Sequence, residues 1–324
     1  MISSIIICEI LIKGGNIMKL ETNLINSYLL YCETQKKLSP HTLKAYRIDL
    51  KQFIKYFKDK TLSKNNLTQY ITFLHQKFKP KTVKRKIASI NSLFTFLEYE
   101  EILKENPLKK IRVNFKTEKI LPKTISRENL IKFYIELYNQ NKQDNKTKRI
   151  ISLRNIAIIE LMMTTGLRVS EVCNLKTESI NFDEKYIKVF GKGSKERIIQ
   201  IDNNNVYNAL KKYNSLVSRK DTCSYFFLNI RHNKLSEQTI RNVINNISLK
   251  AKINQHITPH MFRHSFATML LEDDVDIRYI QKILGHSSII TTQIYTHITS
   301  NKQREILKNK NPRNKINITI NRYI

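Results

Sequence analysis

The sequence predicts a mainly helical chain of two domains, in which a small helical bundle precedes a mostly helical α+β domain carrying one small β-hairpin. Three observations carry this expectation. Apolar residues recur at helical spacing through most of the 324 residues. Serine, threonine and proline stand at the starts of several of these stretches, as helix caps and first turns favour. Only Tyr186–Phe190 and Arg197–Ile201 alternate or run apolar as strands do, and a glycine-rich tip joins them.

In chain order, the spacing of Leu20, Leu24, Ile25, Tyr28, Leu29 and Cys32 predicts a helix from Lys19 to about Lys36. Ser39-Pro40 then supplies a cap and a first-turn proline for a second helix, carrying Leu43, Tyr46, Ile48, Leu50, Phe53, Ile54 and Phe57. Asn66–Phe78 and Lys81–Tyr99 read as a third and a fourth, which completes a small bundle over residues 18–106. Asn106-Pro107 closes it, and the basic, weakly periodic stretch 107–124 reads as a linker. The second domain is expected over 125–300. Helices are expected at Arg127–Asn139 and Ser152–Met163 with a lysine-rich exposed loop between, and a new helix opens at Arg168. After the hairpin, Tyr207–Ser218, Ser236–Lys250, Pro259–Leu271 and Ile277–Leu284 read as further helices. Residues 1–17 are read as an upstream extension; their apolar run is too short to span a bilayer and lacks the basic flank of a signal peptide. Residues 301–324 read as a tail, expected to be disordered on composition alone.

Lysine and arginine number 57 against 27 acidic residues, a formal net charge of +30. A solvated surface mixes its signs, so an imbalance this large points to a polyanionic partner, nucleic acid. A biased genome rich in Lys, Asn and Ile codons accounts for part of the excess. The cations concentrate. Lys44, Arg47 and Lys51 share one helical face, and residues 77–86 hold six cations and no acid, Lys84, Arg85 and Lys86 among them. These are the candidate contacts to a DNA backbone, which would position a duplex without reading it. The four cysteines lie far apart without metal-ligand or disulfide spacing, as expected of buried thiols in a cytoplasmic protein.

The densest polar chemistry lies in residues 256–297. His260 and Arg263 are three apart on a helix opening at Pro259, so they share a face beside a positive helix N-terminus, which suits an anion. His286 and Tyr295 follow. Upstream, the Thr165-Gly166-Leu167 turn sets Arg168 at another helix start, with Glu171 placed to orient it. Only six glycines occur, where average composition gives roughly twenty. Outside residues 14–15, each of them (Gly166, Gly191, Gly193, Gly285) stands within two residues of Arg168, Lys192 or His286.

His260-x-x-Arg263-His264-Ser-Phe-Ala-Thr, Leu284-Gly285-His286, Thr-Thr-Gln-Ile-Tyr295-Thr-His and Thr-Gly-Leu-Arg168-Val-Ser-Glu171 resemble the boxes of the tyrosine recombinases, the phage-integrase family, and most closely its Xer-type members. Ser39-Pro-His-Thr-Leu-Lys-Ala-Tyr-Arg-Ile-Asp-Leu resembles that family's core-binding domain. Two details depart: Met269 stands where a histidine is common, and Glu272-Asp273-Asp274-Val275 replaces a turn that often holds Asn-Gly. The resemblance implies a SAM-like first domain and a C-shaped clamp about a duplex. It also implies that Tyr295 attacks a scissile phosphate to give a 3′-phosphotyrosine, with Arg168, Arg263 and His286 on the phosphoryl oxygens. His260 is then the base and Lys192, at the hairpin tip, the acid. It requires neither metal nor ATP.

The implied partners are a two-half-site DNA target and a homo- or heterotetramer on paired sites, with a second recombinase and a cell-division DNA translocase as further candidates and no membrane. The start of the tail is then a helix docking into a neighbouring protomer. The absence of an arm-binding domain before the first helices favours chromosome or plasmid dimer resolution over integration or excision of a mobile element. A type IB topoisomerase would share the chemistry without a tetramer. A DNA-binding regulator would have lost a reacting group, and a metal-dependent nuclease would need clustered carboxylates, of which Glu272-Asp273-Asp274 is the only dense run.

Overall fold

The structure, a computed structural model, describes residues 22–111, 123–140, 145–190, 196–219, 223–285 and 305–316. These fall into two units that divide near residue 120.

The first unit is a bundle of α1 (Thr22–Thr34), α2 (Pro40–Phe57), α3 (Lys64–Lys77) and α4 (Pro80–Tyr99). Its starts are written locally. The Ser39 hydroxyl accepts the Thr42 N–H at 3.2 Å with Pro40 in the first turn, and Ser63 does the same for Asn66 at 3.2 Å. The bundle's core contains Tyr28, Leu50, Phe53, Leu93, Phe94 and Leu97, each wholly buried. The Phe53 ring meets Tyr70 and Phe94 edge-on at centroid distances of 5.2 and 5.7 Å, a favoured aromatic geometry. The expected linker begins with a piece of this unit. Asn106 caps a 3₁₀ turn, Pro107–Lys110, whose Leu108 is buried in the bundle.

The second unit is built around α6 (Lys146–Thr165), which follows α5 (Arg127–Asn139). From Ser152 to Thr165 nearly every α6 residue is buried, as befits a helix packed on all sides. It starts six residues before the position expected from its apolar run, inside what read as a loop. The cause is Asn145, whose side-chain carbonyl accepts the Lys148 N–H at 3.1 Å. After α7 (Val169–Asn174) comes an antiparallel sheet in the order β1 (Ile180–Asn181), β2 (Tyr186–Phe190), β3 (Glu196–Gln200). The register of β2 and β3 pairs Val189 with Arg197 and Phe190 with Glu196. The short β1 was not anticipated, since two residues carry no alternation. Helices α8 (Asn204–Leu216), α9 (Glu237–Lys250), α10 (Pro259–Glu272) and α11 (Ile277–Leu284) complete the unit. No helix among the described residues is long and apolar enough to cross a membrane.

Part of the tail, read as disordered on composition and as helical at its start by the resemblance, is ordered. Residues 305–309 are helical, and Ile306, Leu307 and Ile316 are buried in the core of their own unit. Arg313 is buried with them and forms a two-point ion pair with the equally buried Glu160 of α6, at 2.8 and 2.9 Å. Tyr138 donates a hydrogen bond to the same carboxylate, and the Arg313 guanidinium lies 4.5 Å from the Tyr134 ring centroid. Removing one member of such a buried pair strands the other's charge, which costs about 3–5 kcal/mol. Arg313→Met is therefore expected to lower unfolding free energy by about that amount in urea titrations, and Glu160→Met added to it to restore most of the loss.

Candidate active site

The site forms where α6 stops. Gly166 takes a left-handed conformation (φ +64°) and its N–H bonds the Met162 carbonyl at 3.0 Å, ending the helix. A Cβ here would stand 2.6 Å from both Leu284 and Phe266 side chains, so backbone angle and space both require glycine. The turn delivers Arg168 to the N-cap of α7. There Glu171, in the helix's first turn, reaches back to the Arg168 N–H at 2.8 Å and to its guanidinium at 3.1 Å.

Arg263 comes from the first turns of α10. Its guanidinium is buried and donates to the Gly166 carbonyl at 2.9 Å and to the Leu284 carbonyl at 2.8 Å. These carbonyls lie at the C-terminal ends of α6 and α11, where the helix dipoles are negative and suit a cation. These bonds use two of its five N–H donors. Burial first, and then the Arg168 charge, push its pKa down to about 10, with Glu171 opposing.

Arg197, from β3, was not singled out from the sequence. It donates to both Glu171 oxygens, at 3.0 and 2.9 Å, and through Nε to the Ile283 carbonyl at 3.2 Å. The signal was present: Arg197 occupies the inward register with Ile199, which is wholly buried, so a charge there needed a buried partner. A Cβ on Gly285 (φ +65°) would lie 3.0 Å from this guanidinium. Glycine thus lets the chain turn closely over Arg197.

Two guanidinium groups, those of Arg168 and Arg197, therefore bond one carboxylate, and the charge of Arg263 lies near enough to feel it. Burial alone would raise the Glu171 pKa, but hydrogen bonds and charge from Arg197, then the Arg168 N–H and charge, leave it below the usual glutamate range. The cluster keeps a net excess of positive charge, with the Arg168 side chain 36% exposed. This is an anion site with fixed donors. His260 is exposed on the first turn of α10, one turn before His264. Burial first, and then the His260 and Arg263 charges, lower the His264 pKa. Arg168 and Arg263 are thus brought together, while Lys192, His286 and Tyr295 lie outside the described residues.

On the first unit, Lys44, Arg47 and Lys51 of α2 and Lys84 of α4 are exposed. Lys86 is a correction. Its side chain is 3% exposed and its ammonium bonds Asp49 at 2.9 Å, with the Phe78 ring centroid 4.7 Å away. It is part of the bundle interior and offers no surface charge, because the helix turns residue 86 toward α2 while Lys84 faces solvent. Arg85 stands between these cases, its side chain 44% exposed and paired with Asp49.

Two family models match: "Phage integrase family" over residues 132–302 and "Phage integrase, N-terminal SAM-like domain" over 25–101. A curated protein of Agathobacter rectalis named "Tyrosine recombinase" is 49% identical over 295 residues, covering 89% of this chain and 96% of that one. "Tyrosine recombinase XerD" of Listeria innocua is 33% identical, covering 90% and 99%. Among solved structures, XerH site-specific recombinase bound to a palindromic difH substrate aligns with a TM-score of 0.65 at 23% identity, covering 87% of this chain and 83% of that one. A λ integrase (75–356) dimer bound to a core site aligns at 0.64 and 17%, covering 86% and 100%. At these identities the structures establish a shared fold.

The depressed Glu171 carboxyl stabilises the folded chain above the ordinary glutamate pKa, and that contribution is lost as pH falls through the lower folded value. Glu171→Gln is expected to reduce melting stability at neutral pH and to flatten the acid limb of a stability-against-pH curve. Thermal melts of both proteins across that limb check it.

Proposed function

The chain belongs to the phage integrase family and is a site-specific tyrosine recombinase, a DNA strand-exchange enzyme, and from that premise we propose how its residues divide the reaction. Tyr295 is the nucleophile. Its phenolic oxygen attacks the scissile phosphorus, the bond to the 5′-oxygen breaks, and a 3′-phosphotyrosine and a free 5′-hydroxyl result. His260 takes the phenol proton as general base, and Lys192 gives a proton to the departing 5′-oxygen. Arg168, Arg263 and His286 hold the non-bridging oxygens as negative charge gathers in the transition state. Resealing runs the same steps backward with a different 5′-hydroxyl. The phosphodiester bond energy is kept in the tyrosyl ester, so no ATP is consumed.

The observation that carries this reading is the arrangement of Arg168 and Arg263 about Glu171. Tyrosine ionises near pH 10 and is a weak nucleophile at neutral pH, so stabilising the phosphorane's charge must supply much of the acceleration. Planar guanidinium forks, one of them fixed on two carbonyls, suit that task without reorganisation. Arg197 acts through Glu171 and is a positioning residue.

We further propose that the biological role is Xer-type resolution of chromosome or plasmid dimers, by a homo- or heterotetramer on paired two-half-site DNA. XerC and XerD relatives at 31–34% identity over nearly their whole length support it. A cell-division DNA translocase and a second recombinase are the partners such a role would call for, and the cytoplasm is its place. The exposed Lys44, Arg47, Lys51 and Lys84 would hold the duplex backbone.

A covalent-trapping assay tests the chemistry. Wild type incubated with pooled nicked duplexes, without metal or ATP, is expected to give a shifted band on a denaturing gel. Tyr295→Phe is expected to bind but give none; an adduct from that variant would remove Tyr295 from the role. Sequencing the trapped DNA distinguishes a chromosomal resolution site from a mobile-element end. Lys192→Ala is expected to slow cleavage by roughly 10²–10⁴-fold, the usual worth of a general acid. A 5′-bridging phosphorothioate, whose thiolate leaves unprotonated, should restore the rate, and failure to do so would reject Lys192 as the acid.

A further inference from the structure

The first unit contains a polar network that backbone clamping does not require. Asp49 of α2 has no exposed surface, yet it binds two cations from the next-but-one helix: Lys86 at 2.9 Å through one oxygen and Arg85 through the other. The Ser89 hydroxyl lies 3.3 Å from the second oxygen. Lys86 also donates to the side-chain carbonyl of Gln52, an exposed residue one turn along α2. A buried ion pair is poor value for stability alone, because desolvation consumes most of the attraction. Its visible effect is on two side chains that leave the bundle. Arg85 is held at its inner edge by Asp49 and is 44% exposed beyond it. Gln52 has its carbonyl occupied, which turns its amide N–H groups outward.

We infer that Arg85 and Gln52 read base edges in the DNA major groove, preset by the buried Asp49–Lys86 pair. This rests on the first unit being a DNA-binding one. Three arguments favour reading over clamping. Arg85's rotamer is fixed before binding, which removes the entropy cost that makes long side chains indiscriminate. A phosphate can be met from many rotamers of a long side chain whereas a base edge must be met from one, and Lys44, Lys51 and Lys84 make no ion pair among the described residues. Both outward groups are donors only, so they match acceptors: the guanine O6 and N7 pair for Arg85, and a purine N7 or thymine O4 for Gln52. The charge balance also fits. Asp49 with Arg85 alone would be neutral and would weaken the approach of a polyanion, whereas Lys86 restores a net positive charge without itself reaching the surface. Asp49 and Lys86 are then positioning residues.

The test selects duplexes from a randomised pool with the full-length wild type, then measures affinities for the selected duplex and its single-base-pair substitutions. Arg85→Ala is expected to erase the preference at one G·C pair, a discrimination of roughly 5- to 150-fold, with little change in salt slope. Lys84→Ala is expected to weaken all sequences alike and to lower the slope by about one. Asp49→Asn risks unfolding by stranding Lys86, so Asp49→Leu with Lys86→Met is the companion variant, replacing the pair with apolar groups. Melting as wild type does, it should bind the unselected pool equally well and lose the preference. An Arg85→Ala profile that falls uniformly, or a double variant that discriminates as wild type does, would overturn the proposal. A wild type that selects no duplex would overturn the DNA reading of the unit, and this inference with it.

Discussion

Like charges repel, and the arginine cluster at the end of α6 depends on defeating that repulsion. Arg168, Arg197 and Arg263 would separate if nothing opposed them, and Glu171 is the group that does so by charge. Arg263 is steadied differently, by carbonyls at two helix ends, so it stays a cation in a buried place without consuming a second carboxylate. The division has a chemical consequence. A carboxylate on every arginine would neutralise the site and repel a phosphate. One carboxylate among three arginines fixes two of them and leaves positive charge for an anion.

The same economy appears in both units. Each carries a buried acid that ties together stretches distant in sequence: Asp49 with Arg85 and Lys86 across the bundle, and Glu160 with Arg313 across most of the second unit. An ion pair in such a place adds little net stability over apolar packing, but any arrangement that breaks it leaves a bare buried charge. These pairs therefore select one packing among those that the many aliphatic side chains would permit. The cores supply the driving force, and the ion pairs supply the register.

Helices with strong local signals were legible in the sequence. Ser39-Pro40 and Thr258-Pro259 mark starts that the structure keeps, Ile277–Leu284 has the expected ends, and Gly166 and Gly285 mark the turns beside the site. What was not legible depends on contacts between distant residues. Lys86 belongs to a run of cations and looks like its neighbours, and only the position of Asp49 on another helix makes it a buried residue. Arg197 reads as one more basic strand residue until Glu171 is brought opposite it. Ordering within 305–316 was hidden for the same reason, since a stretch rich in Lys and Asn has few apolar anchors, and its main polar anchor lies on α6. The α6 start was a different failure. A capping asparagine was present at Asn145, but the lysines after it read as loop.

The docking of residues 305–316 bears on how the protein is made. A ribosome delivers the first bundle early, and it can close before the rest exists. The second unit cannot do the same, because Ile306, Leu307, Arg313 and Ile316 fill positions in a core whose other members were synthesised well before. Until those residues emerge, Glu160 is an acid in an apolar setting without its cation, and α6 lacks part of its cover. The helix that ends at Gly166, and so positions the arginines, is therefore finished only when translation has passed the proposed nucleophile. A nascent chain would gain its power to cut DNA late, after its first bundle has closed.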